Sequence, residues 1–109
     1  MRYFEVLFLE EAREFLGRLD AKTVRKVLFN IDLATQTNDP KLFKKLQQDI
    51  WEFRTLYNGL QVRLLAFWDK TRPEQTLVIA THGFIKKQDK VPDNEIERAA
   101  RLKAEYFEP

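Results

Sequence analysis

The chain has 109 residues, with 19 lysines and arginines, 17 aspartates and glutamates, one histidine and no cysteine. This length predicts one domain, residues 1–109, and the composition argues against disulfides, thiol catalysis and transition-metal sites, so neither metal nor cofactor is expected. A charge appears too early for a signal peptide and no roughly 20-residue apolar segment could span a bilayer, so we expect a cytoplasmic protein without a membrane partner.

The small net charge of +2 is unevenly distributed along the chain. Residues 41–90 carry ten basic and five acidic side chains, whereas residues 1–40 carry six and seven and residues 91–109 carry three and five. The positive charge of the central segment is the electrostatic pattern expected of a surface that binds a polyanion.

The first third of the chain predicts a strand followed by two helices. The strand is indicated by alternating apolar residues, which are Phe4, Val6 and Phe8. The first helix is indicated by an apolar stripe at helical spacing, formed by Ala12, Phe15, Leu16 and Leu19. Asp20 is expected to cap a second helix, whose predicted inward face is Val24, Val27, Leu28 and Ile31. The two helices are expected to form an antiparallel hairpin on a sheet, ended by a turn at residues 37–40.

The rest of the chain predicts a meander of strands and a closing helix. Residues 42–46 fit either a helical turn or a short edge strand. Residues 51–56 and 61–68 predict a hairpin whose two loop residues are Asn58 and Gly59, because both residue types tolerate positive φ. After a polar loop at 69–75, the apolar run 76–82 predicts an interior strand, and residues 83–90 are expected to leave the sheet.

Pro92 suits the first position of a closing helix with Ile96, Ala99, Ala100 and Phe107 on one face. The predicted fold class is therefore α+β: an N-terminal strand and helical hairpin packed on an antiparallel meander sheet, with a C-terminal helix.

Counting back from the predicted turn sets Arg54 directly opposite Arg63 on neighbouring strands. Like charges in that position normally destabilise a sheet, so a compensating anion is expected. Glu52 shares their face and could bridge both guanidiniums, which is the purely structural explanation. One carboxylate would still leave a net positive charge, so a substrate phosphate is the functional alternative, matched by the guanidinium fork. The residues alone leave both explanations open.

Further cations follow the last predicted strand and, with the arginines, suggest metal-free RNA cleavage. In that reaction the 2′-hydroxyl of the RNA attacks the adjacent phosphate, and the protein stabilises charge and moves two protons. His82 titrates in the useful pH range, whereas Lys86, Lys87 and Lys90 could contact the backbone. The alternatives are a hydrogen-bonded, half-buried histidine and a solvated lysine-rich loop.

Four aromatic residues could stack on bases, although core packing is the more common role of aromatics at this density. They are Trp51, Phe53, Trp68 and Phe84.

The ordered set of motifs around these residues closely resembles the phage-derived Gp49-like, HigB-type branch of the RelE/ParE toxin superfamily. The motifs are residues 50–54 (IWEFR), 62–64 (VRL), 82–87 (HGFIKK), Pro92 and 96–99 (IERA). The resemblance implies a microbial-RNase-like α+β fold and the toxin of a type II toxin–antitoxin system. It also implies ribosome-dependent mRNA cleavage and neutralisation by an antitoxin with a helix-turn-helix domain.

Carried onto this sequence, the resemblance makes Arg54 and Arg63 phosphate-binding and transition-state residues. It places Lys86 and Lys87 along the RNA path and makes His82 a candidate proton-transfer group. The candidate catalytic residues are thus Arg54, Arg63, His82 and Lys87. The candidate RNA-binding residues are Lys45, Lys86 and Lys90.

Two departures from the family pattern bear on activity. Val62 stands where the family often has tyrosine, and Tyr106, near the C-terminus, belongs to the predicted last helix rather than to a matching catalytic position. Because the superfamily also contains toxins that bind DNA gyrase, the alternatives are a non-nuclease toxin directed at a protein target and an inactive member that only binds its antitoxin.

Overall fold

The computed structural model describes residues 1–73 and 76–109, so Glu74 and Gln75, the end of the predicted 69–75 loop, lie outside the described residues. The elements in chain order are β1 (Glu5–Phe8), α1 (Glu10–Gly17), α2 (Ala21–Gln36), β2 (Phe43–Lys45), β3 (Trp51–Tyr57), β4 (Leu60–Asp69), β5 (Leu77–Ile85) and α3 (Asp93–Phe107).

The strands form one five-stranded sheet in the order β1-β5-β4-β3-β2. Strands β2 to β5 pair antiparallel, as the predicted meander requires, whereas β1 pairs in parallel with β5, with Glu5 opposite Leu77. This parallel pairing brings the N-terminus next to a strand that begins about 70 residues later. The predicted α+β class is confirmed.

Helices cover both faces of the sheet. Helices α1 and α2 pack on one face, where Phe15 and Val27 join a core with Phe53 and Leu64. Helix α3 packs on the other face, where Ile96 joins a core of sheet residues that includes Leu65, Phe67, Leu77 and Ile79. We call these two sides of the sheet the α1/α2 face and the α3 face.

The hairpin between β3 and β4 has the predicted two-residue turn. Asn58 and Gly59 both have positive φ, 52° and 79°, and Tyr57 pairs with Leu60. This conformation matches the right-handed twist of the strands, which explains why an Asn-Gly pair fixes the register. The predicted opposition of Arg54 and Arg63 follows directly.

Helix α2 begins as predicted, but one residue of its expected inward face points outward. The carboxylate of Asp20 accepts a hydrogen bond of 2.7 Å from the backbone N–H of Thr23. Val27 and Ile31 are buried, whereas Leu28 is 42% exposed, and so its predicted place in the core is wrong. The buried stripe instead runs through Thr23, Asn30, Ala34 and Thr35, where small and polar residues allow close packing.

Several predicted boundaries shift in the second half of the chain. Residues 43–45 form an edge strand, which resolves the ambiguity at 42–46. Strand β5 continues to Ile85 rather than ending at residue 82, because the ten-residue β4 supplies pairing partners that far. Pro92 is the N-cap of α3 rather than its first residue.

The inward face of α3 also differs in part from the prediction. Ile96 and Ala99 are buried as expected, and Leu102 joins them. Ala100 is only half-buried, and Phe107 is 41% exposed at the end of the helix.

Gly83 lies where α1 comes closest to the sheet. A Cβ atom at this position would stand 2.2 Å from the Phe15 ring, far inside van der Waals contact. The glycine of the 82–87 motif therefore allows α1 to pack directly on β5.

Candidate active site

Arg54 on β3 and Arg63 on β4 face each other across the hairpin, on the α3 face of the sheet. Glu52 lies two residues before Arg54 and on the same face, and its carboxylate reaches both guanidiniums. Its Oε1 is 3.1 Å from Arg63 Nε, and its Oε2 is 3.9 Å from Arg54 Nε. The predicted bridging by Glu52 is therefore present, and one carboxylate is shared by two positive charges.

The two arginines differ in accessibility. The side chain of Arg63 is 4% exposed, whereas that of Arg54 is 31% exposed. Arg63 donates from Nη1 to the backbone carbonyl of Val62 at 3.2 Å and from Nη2 to the side-chain oxygen of Gln61 at 3.1 Å. Burial lowers the pKa of Arg63 below its usual value, the Glu52 carboxylate opposes that shift, and the Arg54 charge adds to it.

The hydrogen bonds of this triad are incomplete. In the part of the chain that the structure describes, the buried side-chain polar atoms without a hydrogen-bond partner are Glu52 Oε1, Arg54 Nε and Arg63 Nε. The 3.1 Å contact between Glu52 and Arg63 is thus a charge contact without the alignment of a hydrogen bond. Buried polar groups in native proteins are normally satisfied, and unsatisfied ones often mark a functional position.

A cavity of about 200 Å³ opens beside the two arginines. It is lined by Lys41, Arg54, Leu56, Gln61 and Arg63. Lys41 is exposed and precedes β2, and Arg54 holds this segment in place because its backbone N–H donates to the Leu42 carbonyl at 2.8 Å. The cavity, here called the arginine pocket, therefore has three cationic side chains beside one buried carboxylate.

The predicted lysines at the end of β5 lie at different distances from this pocket along the backbone. Lys86 is half-buried, and its backbone N–H donates to the Gln61 carbonyl at 2.8 Å, which continues the β4–β5 ladder next to the pocket. Lys87 and Lys90 are exposed in the connection to α3. The structure therefore brings Lys86 to the arginine side of the sheet and leaves the other two on a solvated segment.

A β-bulge decides which way His82 points. Leu65 pairs with His82 and Ala66 pairs with Ala80, so Thr81 is the extra residue on β5. Because side chains alternate along a strand, one extra residue moves His82 and Phe84 to the α3 face, the face of the arginines. Phe84 lies directly opposite Arg63.

His82 itself is buried and already hydrogen-bonded at both ring nitrogens. Its Nε2 lies 3.0 Å from Glu95 Oε1 on α3, and its Nδ1 lies 3.0 Å from the Thr81 hydroxyl. Burial lowers the pKa of His82, and the hydrogen bond to Glu95 opposes that shift. The environment is that of the hydrogen-bonded structural histidine, and the structure does not bring its ring into the arginine pocket.

Lys45 lies away from the arginines. It pairs with Trp51 across β2 and β3, which places both on the α1/α2 face, and its ammonium is 3.5 Å from Asp49 Oδ1. Trp51, Phe53 and Trp68 belong to an aromatic cluster with Phe4 and Phe43 on the same face. Phe53 is buried, whereas the two tryptophans keep part of their surface accessible.

Sequence reasoning did not identify Lys41, Gln61 or Glu95 as parts of these sites. Gln61 follows the Asn-Gly turn and lies on the arginine face, so the counting that set Arg54 opposite Arg63 could also have placed Gln61 beside them. Lys41 could be placed only after residues 43–45 were known to pair with β3. Glu95 meets His82 through the packing of α3, for which the sequence carries no local signal.

Neither a metal cluster nor a membrane span is found in residues 1–73 and 76–109. No group of three or more histidine, aspartate and glutamate side chains could hold a metal ion there. Each of the three helices described is too short or too polar to cross a bilayer.

Comparison with known protein families identifies a family for most of the chain. Residues 14–104 match the family described as Phage derived protein Gp49-like (DUF891). Comparison with curated protein sequences finds no significant match.

Two solved structures share the fold. An arginine double mutant of the E. coli toxin RelE in the free state aligns with a TM-score of 0.63 at 16% identity, over 94% of this chain and 98% of that chain. The toxin–antitoxin complex RelBE2 from Mycobacterium tuberculosis aligns with a TM-score of 0.55 at 20% identity, over 79% of this chain and 100% of that chain.

The family match covers most of the chain, and so the resemblance drawn from the ordered motifs is confirmed. The chain belongs to the phage-derived Gp49-like family and has the fold of the RelE structure.

Proposed function

We propose that this protein is the toxin of a type II toxin–antitoxin system and a metal-independent, ribosome-dependent mRNA endonuclease acting in the cytoplasm. The observation that carries the proposal is the shared carboxylate: Arg54 and Arg63 face each other, and among the described residues Glu52 is the carboxylate that contacts both. The arginine pocket therefore has a net positive charge and unsatisfied N–H donors, which a phosphate would complete.

The chemistry follows from the RNA itself. The 2′-hydroxyl loses its proton as its oxygen attacks the adjacent phosphorus, and the bond from phosphorus to the 5′-oxygen breaks. The products are a 2′,3′-cyclic phosphate and a 5′-hydroxyl, whose oxygen takes up a proton as it leaves. Negative charge builds on the non-bridging oxygens, where Arg54 and Arg63 would stabilise it without changing protonation state. Lys41 at the rim would add attraction for the incoming backbone.

In this scheme, the side chain of Gln61 takes the place of the phosphate while no RNA is bound. Its side-chain oxygen accepts a hydrogen bond from Arg63 Nη2, although Gln61 itself is exposed. A phosphate oxygen would replace this neutral acceptor, and charge-assisted hydrogen bonds to guanidinium are the stronger kind. Rotation of one exposed side chain would then open the buried arginine to RNA.

The remaining candidates take supporting roles. Lys86 borders the pocket, and Lys87 and Lys90 would follow the RNA backbone beyond it. His82 stays a candidate for proton transfer only through a rearrangement that breaks its contact with Glu95. Lys87 also stays a candidate catalytic residue, because its segment could close on bound RNA.

Partners are proposed from the family and from the relatives. The RelBE2 structure is that of a toxin–antitoxin complex, which supports an antitoxin partner for this chain. We expect that antitoxin to be a helix-turn-helix protein, and the substrate to be mRNA on the ribosome.

The experiment is induction of the protein in growing cells with mapping of transcript ends. We expect growth arrest and cuts within translated codons, absent from the same transcript when its start codon is removed. A protein that arrests growth with intact mRNA and an SOS response would instead be a toxin acting on a target such as DNA gyrase. A protein that leaves growth and mRNA unchanged while binding its antitoxin would be an inactive member.

A further inference from the structure

A second concave site lies at the other end of β3 and β4, where Trp51 and Trp68 point to the opposite face from the arginines. A cavity of about 420 Å³ is lined by Lys45, Asp49, Trp51, Trp68, Lys70 and Lys103. Trp51 is three residues before Arg54 on β3, and strand alternation points the two side chains to opposite faces about 10 Å apart along the strand. The tryptophan cleft, as we call it, is therefore distinct from the arginine pocket.

Among the described residues that line this cleft, the apolar ones are both aromatic. Trp51 and Trp68 meet edge to face with ring centroids 5.7 Å apart. Phe43 stacks on Trp51 at 4.9 Å and fixes the orientation of its ring. Rigid, partly exposed indoles are platforms on which nucleobases stack.

The rim of the cleft is positively charged. Lys45 lies on β2, Lys70 directly follows β4, and Lys103 lies on α3. Among the lining residues that the structure describes, Asp49 is the acidic one. Lys70 lies over the Trp68 ring, with its ammonium 5.7 Å from the ring centroid. Cations beside exposed aromatic rings match a ligand in which a flat base is joined to a phosphate.

A second cavity, of about 280 Å³, shares both tryptophans and is bordered by Tyr3, Asn38 and Asp39. These residues offer hydroxyl, amide and carboxylate groups. One side of the two tryptophans is thus cationic and the other side carries hydrogen-bonding groups. A nucleotide has a matching arrangement, with a phosphate at one end and the hydrogen-bonding edge of the base at the other.

Edge strand β2 connects the two sites. Lys44 pairs with Glu52, on the arginine face, and Lys45 pairs with Trp51, on the cleft face. Successive lysines on a short exposed edge strand therefore lie on the two faces of the sheet in turn. A single RNA strand passing around this edge would meet positive charge along the whole path.

From these features we propose that the tryptophan cleft binds a nucleotide of single-stranded RNA, by base stacking on Trp51 and Trp68 and by phosphate contacts to the three lysines. The inference builds on the proposed RNA substrate, but it assigns a binding site that cleavage does not require. The cleft would hold the substrate strand at a point away from the cut phosphate.

The test uses the tryptophans as reporters, since the chain has two and both line the cleft. A short 2′-O-methyl oligoribonucleotide, which cannot be cleaved, is titrated against the full-length protein. We expect saturable quenching of tryptophan fluorescence, with a slope of log affinity against log salt of about −2 for three phosphate contacts. The double variant Lys70→Glu, Lys103→Glu should weaken binding at least about ten-fold.

Two control variants show whether the loss of affinity is specific to the cleft. The double variant Lys22→Glu, Lys26→Glu on α2 makes the same change in net charge and should bind within about two-fold of the wild type. Arg54→Ala should lower cleavage by about 10²–10³ yet keep the quenching, which separates failure of the nuclease proposal from failure of this one.

Three results would overturn the assignment. The first is the absence of quenching, and the second is equal loss of affinity in the α2 control. The third is equal quenching by inorganic polyphosphate or by poly-glutamate, which would show that bases are not recognised and that any polyanion, or an acidic protein segment, suffices.

Discussion

Arg54 lies directly opposite Arg63 on neighbouring antiparallel strands, and the two guanidiniums share one carboxylate. Like charges in this arrangement are normally excluded from sheets. The fold tolerates them because Glu52 contacts both, and within the described part of the chain Arg54 Nε and Arg63 Nε have no hydrogen-bond acceptor.

Replacing Glu52 tests this charge balance. Glu52→Gln keeps the shape and removes the buried countercharge, so we expect the free energy of unfolding to fall by about 3–5 kcal/mol. Phosphate or sulfate should restore much of that loss, because an anion can occupy the pocket of the folded protein only. Thermal denaturation with and without phosphate measures both effects. Glu105→Gln, which breaks the exposed pair with Arg101, is the control and should change stability little.

Replacing Arg54 and replacing Arg63 should have different effects on stability. Arg54→Ala should lower cleavage by about 10²–10³, equivalent to about 3–4 kcal/mol, and leave the melting temperature close to that of the wild type, because this side chain is partly exposed. Arg63→Ala should also lose stability, because it leaves Glu52 with only the longer contact to Arg54.

Arg63→Lys separates charge from geometry at the same position. A point charge cannot replace the guanidinium fork, so cleavage should still be lost. Cleavage of a translated reporter and thermal denaturation are the measurements, with Arg101→Ala on the exposed side of α3 as the control. Full toxicity of the Arg54→Ala, Arg63→Ala double variant would eliminate the proposed roles.

The neutral, buried state of His82 predicts a pH dependence of stability. Its folded pKa is lowered from 6.5 by burial, so below pH 6.5 the unfolded chain takes up a proton that the folded chain resists. Stability should therefore be complete above about pH 6.5 and decline as the pH falls from 6.5 toward the lower folded pKa. The lowered pKa values of Asp20 and Asp69 act in a separate window, below about pH 4.

Urea denaturation at pH 7.5, 6.5 and 5.5 measures this decline. His82→Gln can retain hydrogen bonds but does not titrate, so its stability should be flat over the same range. An unchanged decline in that variant would assign the pH dependence to other groups.

Substitution of Gly83 should cause a steric clash that a smaller residue at position 15 relieves. Gly83→Ala places a methyl group against the Phe15 ring, and overpacking of this kind costs about 1–3 kcal/mol. Phe15→Leu should itself destabilise the protein, but the double variant should lose less than the sum of the two single changes. Denaturation of all four proteins gives the coupling, and additive losses would contradict the proposed clash.

The part of the fold that could be predicted rests on local signals. Asn58 and Gly59 fix a two-residue turn, and that turn fixes the opposition of Arg54 and Arg63 by counting alone. The cap at Asp20 is equally local. These features depend on residues within a few positions of each other, so local sequence patterns predict them.

What could not be predicted depends on distant packing. The parallel pairing of β1 with β5 joins segments about 70 residues apart, and no short pattern records it. The bulge at Thr81 reverses the alternation of β5, so the facing of His82 could not be counted from Thr76. Leu28 was placed inward on apolar character alone, whereas close contact between α2 and the sheet selects the smaller residues beside it.

The parallel pairing of β1 with β5 also sets the order in which a growing chain can complete its structure. The arginine hairpin is local and can form as soon as residue 69 has emerged. The strand that supports it on one side, and that anchors β1 and α1 on the other, is made afterwards, at residues 77–85. From the synthesis of Arg63 until that of Ile85, a nascent chain therefore carries both arginines without the strand that supports their hairpin.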